Sequence, residues 1–170
     1  MYFPENYPSN YDKAEMTNIR LCVGASAGGH LNQLIRLLQF SDNWPVSSTF
    51  CITTLHELAP QLSEYGPTYV IGECNRRHPF LAVGVFWKAI SLVMKQRPDV
   101  VVTTGALPLA MVCLVAKLTG SSVVWIDSIA NTERLSMSGS FVHRFADLVI
   151  VQWPDLANKY KNVVYAGTIL

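Results

Sequence analysis

The sequence predicts a single doubly wound α/β domain built on a parallel sheet, Rossmann-like in its order of elements. Three observations lead there. Short apolar strands alternate with helical segments from residue 19 onward. Two of those strands, Val100-Val101-Val102 and Val123-Val124-Trp125-Ile126, are apolar at consecutive positions, the pattern of strands with helices on both faces of a parallel sheet. Polar or glycine-rich stretches fall where strands end, and ligands gather at the carboxyl ends of strands in such sheets.

Residues 1–18 contain Pro4, Pro8 and several Asn, Asp and Glu residues without an apolar run. They are expected to form a mobile arm with neither a secretory signal nor an amino-terminal membrane anchor. The domain proper spans 19–170. Its first strand covers 19–25, and Leu31, Leu34, Ile35, Leu37 and Leu38 recur at helical spacing to predict a helix over 29–40. Further strands are expected at 49–53, 67–71, 99–103, 122–126, 147–151 and 162–166, with helices at 55–64, 79–96, 107–119 and 139–146. Pro98-Asp99 and Gly120-Ser121 mark helix-to-strand breaks.

A chain of 170 residues can bury one real core but not two of ordinary size. Half its residues are apolar and 15% are charged, which fits a globular domain. A net charge of +1 gives no reason to expect nucleic acid as a partner. Cys22, Cys51, Cys74 and Cys113 are scattered, three of them in apolar runs, and no Cys/His cluster has zinc spacing. No metal or other cofactor is expected.

Between the first strand and helix the chain reads Val23-Gly-Ala-Ser-Ala-Gly-Gly-His-Leu31. Glycines let a ligand approach the backbone, and the first amides of the following helix have no intrahelical partners, so this turn suits phosphate. From Gly24 the spacing is G-x-S-x-G-G. That is neither the dinucleotide fingerprint nor a Walker loop. The same residues match a nucleophile elbow centred on Ser26, with Asp127 and His143 following in Ser-Asp-His order, so a serine hydrolase is a rival reading.

From Phe80 to Met94 every residue except Lys88 and Ser91 is apolar or small, and Arg76, Arg77, Lys95 and Arg97 flank the run. It is short for a membrane span. It reads either as a buried helix or as an interfacial one, with Phe80, Leu81, Phe86 and Trp87 in contact with lipid and Arg76 and Arg77 drawn to anionic headgroups. Leu107–Leu118 is a second such segment, and two of them are hard to bury in one small domain, so peripheral attachment to a membrane surface is expected.

Five ordered stretches carry a family resemblance: S-A-G-G-H-L, P-D-V-V-V-T-T-G, I-D-S-I-A-N-T-E-R-L-S-M-S-G, A-D-L-V-I-V-Q-W-P-D-L-A-N-K-Y and Y-A-G. Over residues 19–170 the chain resembles the acceptor-side subunit of the two-chain N-acetylglucosaminyltransferase that adds the second sugar on dolichol diphosphate. Its PssD-like bacterial relatives in exopolysaccharide synthesis are closer still. The resemblance implies the amino-terminal half of a GT-B glycosyltransferase, with a separate donor-binding subunit supplying the UDP-sugar site and a polyprenyl diphosphate-linked sugar as acceptor. The chain alone would then be inactive. The absence of an amino-terminal membrane helix favours a bacterial-type homologue at the cytoplasmic face of the plasma membrane.

Under that resemblance His30 and Asp127 are the catalytic candidates: His30, of the residue type that titrates nearest neutrality, as base or acceptor-orienting group, and Asp127 either orienting His30 or serving as base itself. Ser26, Gly28, Gly29, Thr104 and Gly105 would line the diphosphate pocket, and Ser128, Asn131, Glu133 and Arg134 would shape the sugar end or the partner interface. Gln152, Trp153 and Gly167 would face the partner. Asp127-Ser128 stands where the eukaryotic subunit has Glu-Ser, a carboxylate one methylene shorter. A membrane-recruiting scaffold without catalytic residues is the other alternative.

Overall fold

In the computed structural model, which describes residues 18–74 and 79–169, seven strands form one entirely parallel sheet. The strands are β1 (Arg20–Ala25), β2 (Ser48–Thr53), β3 (Thr68–Val70), β4 (Val100–Thr103), β5 (Ser122–Ile126), β6 (Leu148–Val151) and β7 (Val163–Tyr165). Their spatial order is β3-β2-β1-β4-β5-β6-β7. The helices are α1 (Gly29–Leu38), α2 (Ala59–Leu62), α3 (Pro79–Gln96), α4 (Leu107–Leu118), α5 (Met137–Val142) and α6 (Pro154–Lys159). The arm expected over 1–18 lies, but for Asn18, outside the described residues, as do Arg76 and Arg77.

Every expected strand is present within one residue at each end. The helices differ more. The expected helix at 55–64 is a 3-10 turn, His56–Leu58, running into the four-residue α2. The expected helix at 139–146 starts earlier, because Ser136 caps α5 by accepting a hydrogen bond from the Gly139 amide at 2.8 Å. The sequence reading assigns no helix at α6. Six residues are too few to display a period, although Pro154 stands in its first turn, where proline is favoured.

Right-handed crossovers distribute the helices. Leu31, Leu34 and Leu38 of α1 and Leu62 of α2 pack with Leu21, Val23 and Cys51 on one face. On the other, α3, α4, α5 and α6 bring Val85, Ala89, Val93, Leu109, Val112, Val142 and Leu156 against Val101, Val123, Trp125, Val149 and Val151. Leu107–Leu118 therefore does not behave as a second interfacial segment: α4 lies between α3 and α5 and buries seven of its residues, Pro108 to Ala116. Phe86 likewise turns inward and packs on this core, which corrects its expected place against lipid. Phe80, Leu81 and Trp87 do point outward, 89%, 56% and 65% exposed. Among the described residues no helix is long and apolar enough to cross a membrane.

Coverage of the sheet is incomplete. Along β4, β5 and β6 the side chains facing α3–α6 are buried, but Val100, Val102, Val124, Leu148 and Ile150, on the opposite face, are only half-buried. Val164 beside them on β7 is exposed. Leu37 of α1 and the Trp44-Pro45-Val46 segment wall one side of a groove of about 300 Å³ over this half-face. The apolar strands predicted cover on both faces; over β4–β7 the described residues cover only one.

Burial also sets the behaviour of the thiols. It pushes the Cys51 thiol up to about 11 and raises Cys22 and Cys113 further, whereas the Cys74 thiol, only half-buried, is raised less. Alkylation of the native protein at neutral pH, followed by mass spectrometry, should label Cys74 first and reach Cys22 and Cys113 only after denaturation.

Candidate functional site

The strand order reverses between β1 and β4, so the loops leaving these two strands part and open a crevice at their carboxyl ends. Buried polar side chains collect on this rim: Gln33, Thr53, Thr54, Thr103, Thr104, Asp127 and Gln152, with Ser121 the one exception at the far end.

Two loops are clasped across the crevice. The Thr104 hydroxyl donates to the carbonyl oxygen of His30 at 2.7 Å, and the His30 Nδ1 lies 2.6 Å from the carbonyl oxygen of Thr104. A carbonyl can only accept, so Nδ1 carries the proton. In the neutral ring this leaves the lone pair on Nε2, which has no partner among the described residues. A histidine tethered in this way is held in the tautomer that can take a proton.

Gly105 makes the clasp possible. A Cβ built there would collide with the His30 ring, and its φ of +136° is itself left-handed. The next residue, Ala106, holds φ 79° and ψ 155°, a region nearly reserved for glycine. Strain of that kind at a candidate site, unmarked in the sequence, is kept in place by the packing around it. Across the crevice Gly28 has φ +77° and opens α1, and the amides of Gly28, Gly29 and His30 have no acceptor among the described residues. Nothing lies within 4 Å of a Cβ added at Gly28 or Gly29, so that helix terminus is open to an anion.

Asp127, at the end of β5, is occupied differently from His30. Its carboxylate is buried and accepts from the Trp125 Nε1 at 3.1 Å, the Ser136 amide at 2.8 Å, the Ser136 hydroxyl at 2.6 Å and the Asn131 Nδ2 at 3.4 Å. It makes no hydrogen bond to His30. Both oxygens are engaged in folding the 128–136 loop over the strand end, and a Cβ at Gly139 would strike Oδ1 at 2.6 Å. The Gln152 amide braces the same point, its Nε2 donating to the Asp127 carbonyl at 2.9 Å while its Oε1 accepts from the Ile169 amide at 2.9 Å. Gln152 is 1% exposed, so it is a strut of the loop and not a surface for a partner.

The remaining expected residues scatter around this frame. Ser26 and Ser128 are half-buried, and the Ser128 hydroxyl accepts from the Ala130 amide at 3.3 Å. The Thr104 hydroxyl and the Gly105 amide are both committed within the protein, the latter to the Thr103 hydroxyl at 3.3 Å. Glu133 and Arg134 are exposed, and the Glu133 carbonyl accepts from the Lys159 ammonium at 2.8 Å. Trp153 is 39% exposed with its Nε1 on the Ile129 carbonyl at 2.7 Å, and Gly167 is half-buried near the last strand. His143 donates from or accepts at no triad partner: its Nε2 meets the Lys161 carbonyl at 2.8 Å and its ring packs edge-on against Tyr160, which removes the Ser26-Asp127-His143 hydrolase arrangement. Two further polar atoms, Gln33 Oε1 and Thr53 Oγ1, are buried beneath the rim without a hydrogen-bond partner among the described residues. Gln33 had a signal in the sequence, a polar residue among the buried leucines of α1.

Residues 70–169 match the family described as "Oligosaccharide biosynthesis protein Alg14 like". The chain belongs to the Alg14 family. Two relatives are each named "UDP-N-acetylglucosamine transferase subunit ALG14". The mouse protein is 27% identical, over 90% of this chain and 84% of its own length, and the human one 26%, over 94% and 87%. Among solved structures, Acinetobacter baumannii MurG superimposes with a TM-score of 0.73 at 16% identity, over 89% of this chain. The UDP-GlcNAc 2-epimerase of Methanocaldococcus jannaschii gives 0.68 at 13% identity. This chain spans only 46% of either of those two, so it shares the fold of about half the length of each.

Two substitutions probe the frame. Asp127→Asn forces an amide hydrogen toward the Ser136 and Trp125 donors, and leaving such groups unpaired costs about 2 kcal/mol. The melting temperature should fall by roughly 4–8 °C. Ala106→Gly relieves backbone strain of about 1 kcal/mol, so the melting temperature should rise by roughly 2–4 °C.

Proposed function

We propose that this chain is the acceptor-binding, membrane-associating subunit of a two-chain GT-B glycosyltransferase. A separate donor-binding subunit brings the UDP-sugar, and the acceptor is a saccharide on a polyprenyl diphosphate. The observation that carries this reading is the tethered His30, its Nε2 free at a crevice that also holds the unpaired amides of α1. The names of the relatives point to N-acetylglucosamine as the transferred sugar.

In the reaction, the acceptor hydroxyl gives its proton to Nε2 of His30 as its oxygen bonds to the anomeric carbon of the donor sugar. The bond from that carbon to the diphosphate breaks, and UDP leaves with the electron pair. A base positioned in this way contributes about 10²–10⁴ in rate. The acceptor's own diphosphate sits at the open helix terminus around Gly28 and Gly29, where amide hydrogens and the helix dipole favour negative charge. Asp127 acts as a positioning residue, holding the 128–136 loop that carries Ser128, Asn131, Glu133 and Arg134 toward the saccharide.

The membrane reading rests on α3. Phe80, Val83, Trp87 and Met94 form an exposed apolar stripe along the helix, with exposures of 89%, 57%, 65% and 53%. The stripe begins at the same rim as the crevice, so a domain lying on α3 at the cytoplasmic face of a bacterial plasma membrane keeps the site within reach of a lipid-linked acceptor.

The reading is tested by co-expressing the chain with its donor-binding partner and measuring transfer from UDP-N-acetylglucosamine to a polyprenyl diphosphate saccharide. Activity should need both chains, and His30→Ala should lower kcat by about 100-fold or more with the complex intact. Transfer by this chain alone would refute the two-chain reading, and transfer by the partner alone would reduce this chain to a recruiting scaffold. Pairing Phe80→Ser with Trp87→Ser should release the protein from liposomes without lowering its melting temperature, since both side chains are mostly exposed.

A further inference from the structure

The 128–136 loop between β5 and α5 contains neither helix nor strand, yet it is fastened at intervals along its length. Asp127 and Ser136 join its two ends through the carboxylate. Its interior is tied to a single other stretch of chain, residues 152–159, which leaves β6 and forms α6. Gln152 Nε2 donates to the Asp127 carbonyl at 2.9 Å, Trp153 Nε1 to the Ile129 carbonyl at 2.7 Å, and the Lys159 ammonium to the Glu133 carbonyl at 2.8 Å. These contacts follow the same order in both segments, so α6 lies alongside the loop and holds it at successive points.

Every acceptor in this series belongs to the backbone, which leaves the side chains of the loop for another use. Thr132, Glu133 and Arg134 are consecutive and exposed, and their side chains have no partner among the described residues. β6 lies on the side of β5 away from the crevice between β1 and β4, so the ties draw the backbone from behind as seen from His30. A backbone held by a rigid scaffold, with a hydroxyl, a carboxylate and a guanidinium left free, is the arrangement of a recognition loop. Those groups suit a sugar: the carboxylate accepts from neighbouring hydroxyls and the guanidinium donates to their oxygens.

The ties differ in burial. Gln152 belongs to the core at 1% exposure, whereas Trp153 is 39% exposed and Lys159 is exposed. A hydrogen bond standing in water contributes little to folding, because water offers both groups an equal partner. What Trp153 and Lys159 fix is the place of the loop's middle. We infer that they are positioning residues for the acceptor: through the Ile129 and Glu133 carbonyls they set the loop so that Glu133 and Arg134 meet the saccharide. The inference rests on the acceptor-binding reading above and deepens it. Trp153 thereby gains a role within this chain, different from the partner contact expected from sequence.

The experiment uses the complete two-chain complex, with UDP-N-acetylglucosamine as donor. The acceptor is polyprenyl diphosphate N-acetylglucosamine or glucose, whichever the unmodified complex elongates. Trp153→Phe keeps an aromatic side chain and removes the indole donor, and Lys159→Met removes the ammonium. Each should raise KM for the acceptor by about two- to tenfold, with KM for the donor unchanged and kcat altered less. Lys159→Arg, which still donates, should restore the acceptor KM, and Lys161→Met, which removes the same charge two positions along, should leave it unchanged. In a chain already carrying Glu133→Ala and Arg134→Ala, Lys159→Met should raise the acceptor KM no further, because nothing remains to be placed. An equal further rise in that background, an unchanged acceptor KM in both single variants, weaker association of the two chains with Trp153→Phe, or a melting temperature lowered by more than a few degrees would overturn the inference. Failure of the underlying reading looks different: the unmodified complex would show no transfer to either acceptor, or transfer that does not need both chains.

Discussion

The handedness of the crossovers is the constraint from which the rest follows. The chain starts in the middle of its sheet, builds outward through β2 and β3, then returns to the other side of β1 and builds outward through β7. With every crossover right-handed, the first two helices occupy one face and the last four the other. Two features follow from that single rule. The loops after β1 and β4 diverge and leave a crevice, and one half-face of the sheet is left without a helix among the described residues. The site and the bare surface are both consequences of the same winding.

Within the crevice, small residues and paired hydrogen bonds fix what the winding only opens. Thr104 and His30 each supply a carbonyl and a side chain to the other, so neither loop can move without breaking both bonds. The ring occupies the space that a side chain at position 105 would take. Asp127 does comparable work on the far side, gathering four donors from two turns of chain around one carboxylate. A buried charge is tolerable when its oxygens are this fully engaged.

Much of this is legible in the sequence. Strands announce themselves through runs such as Val100-Val101-Val102, and glycines at 24, 28 and 29 mark the turn before α1, so the fold class, the strands and the position of His30 all follow from local pattern. What could not be read locally depended on tertiary partners. Gln152 resembles a surface residue until its amide is seen between Asp127 and Ile169. Phe86 and Trp87 are adjacent aromatics in one apolar helix, and only the packing of α3 shows that one turns inward and the other outward. Val100 and Val101 pose the same difficulty on β4, because two identical side chains report nothing about which face has a neighbour. Ala106 carries no sequence sign of its backbone conformation at all.

The unpaired aliphatic face also bears on how such a polypeptide fares in a cell. Valines and isoleucines left half in contact with solvent make a copy prone to self-association while that face stays uncovered. Covering of that face, or removal of surplus copies by proteolysis, then becomes a requirement of solubility.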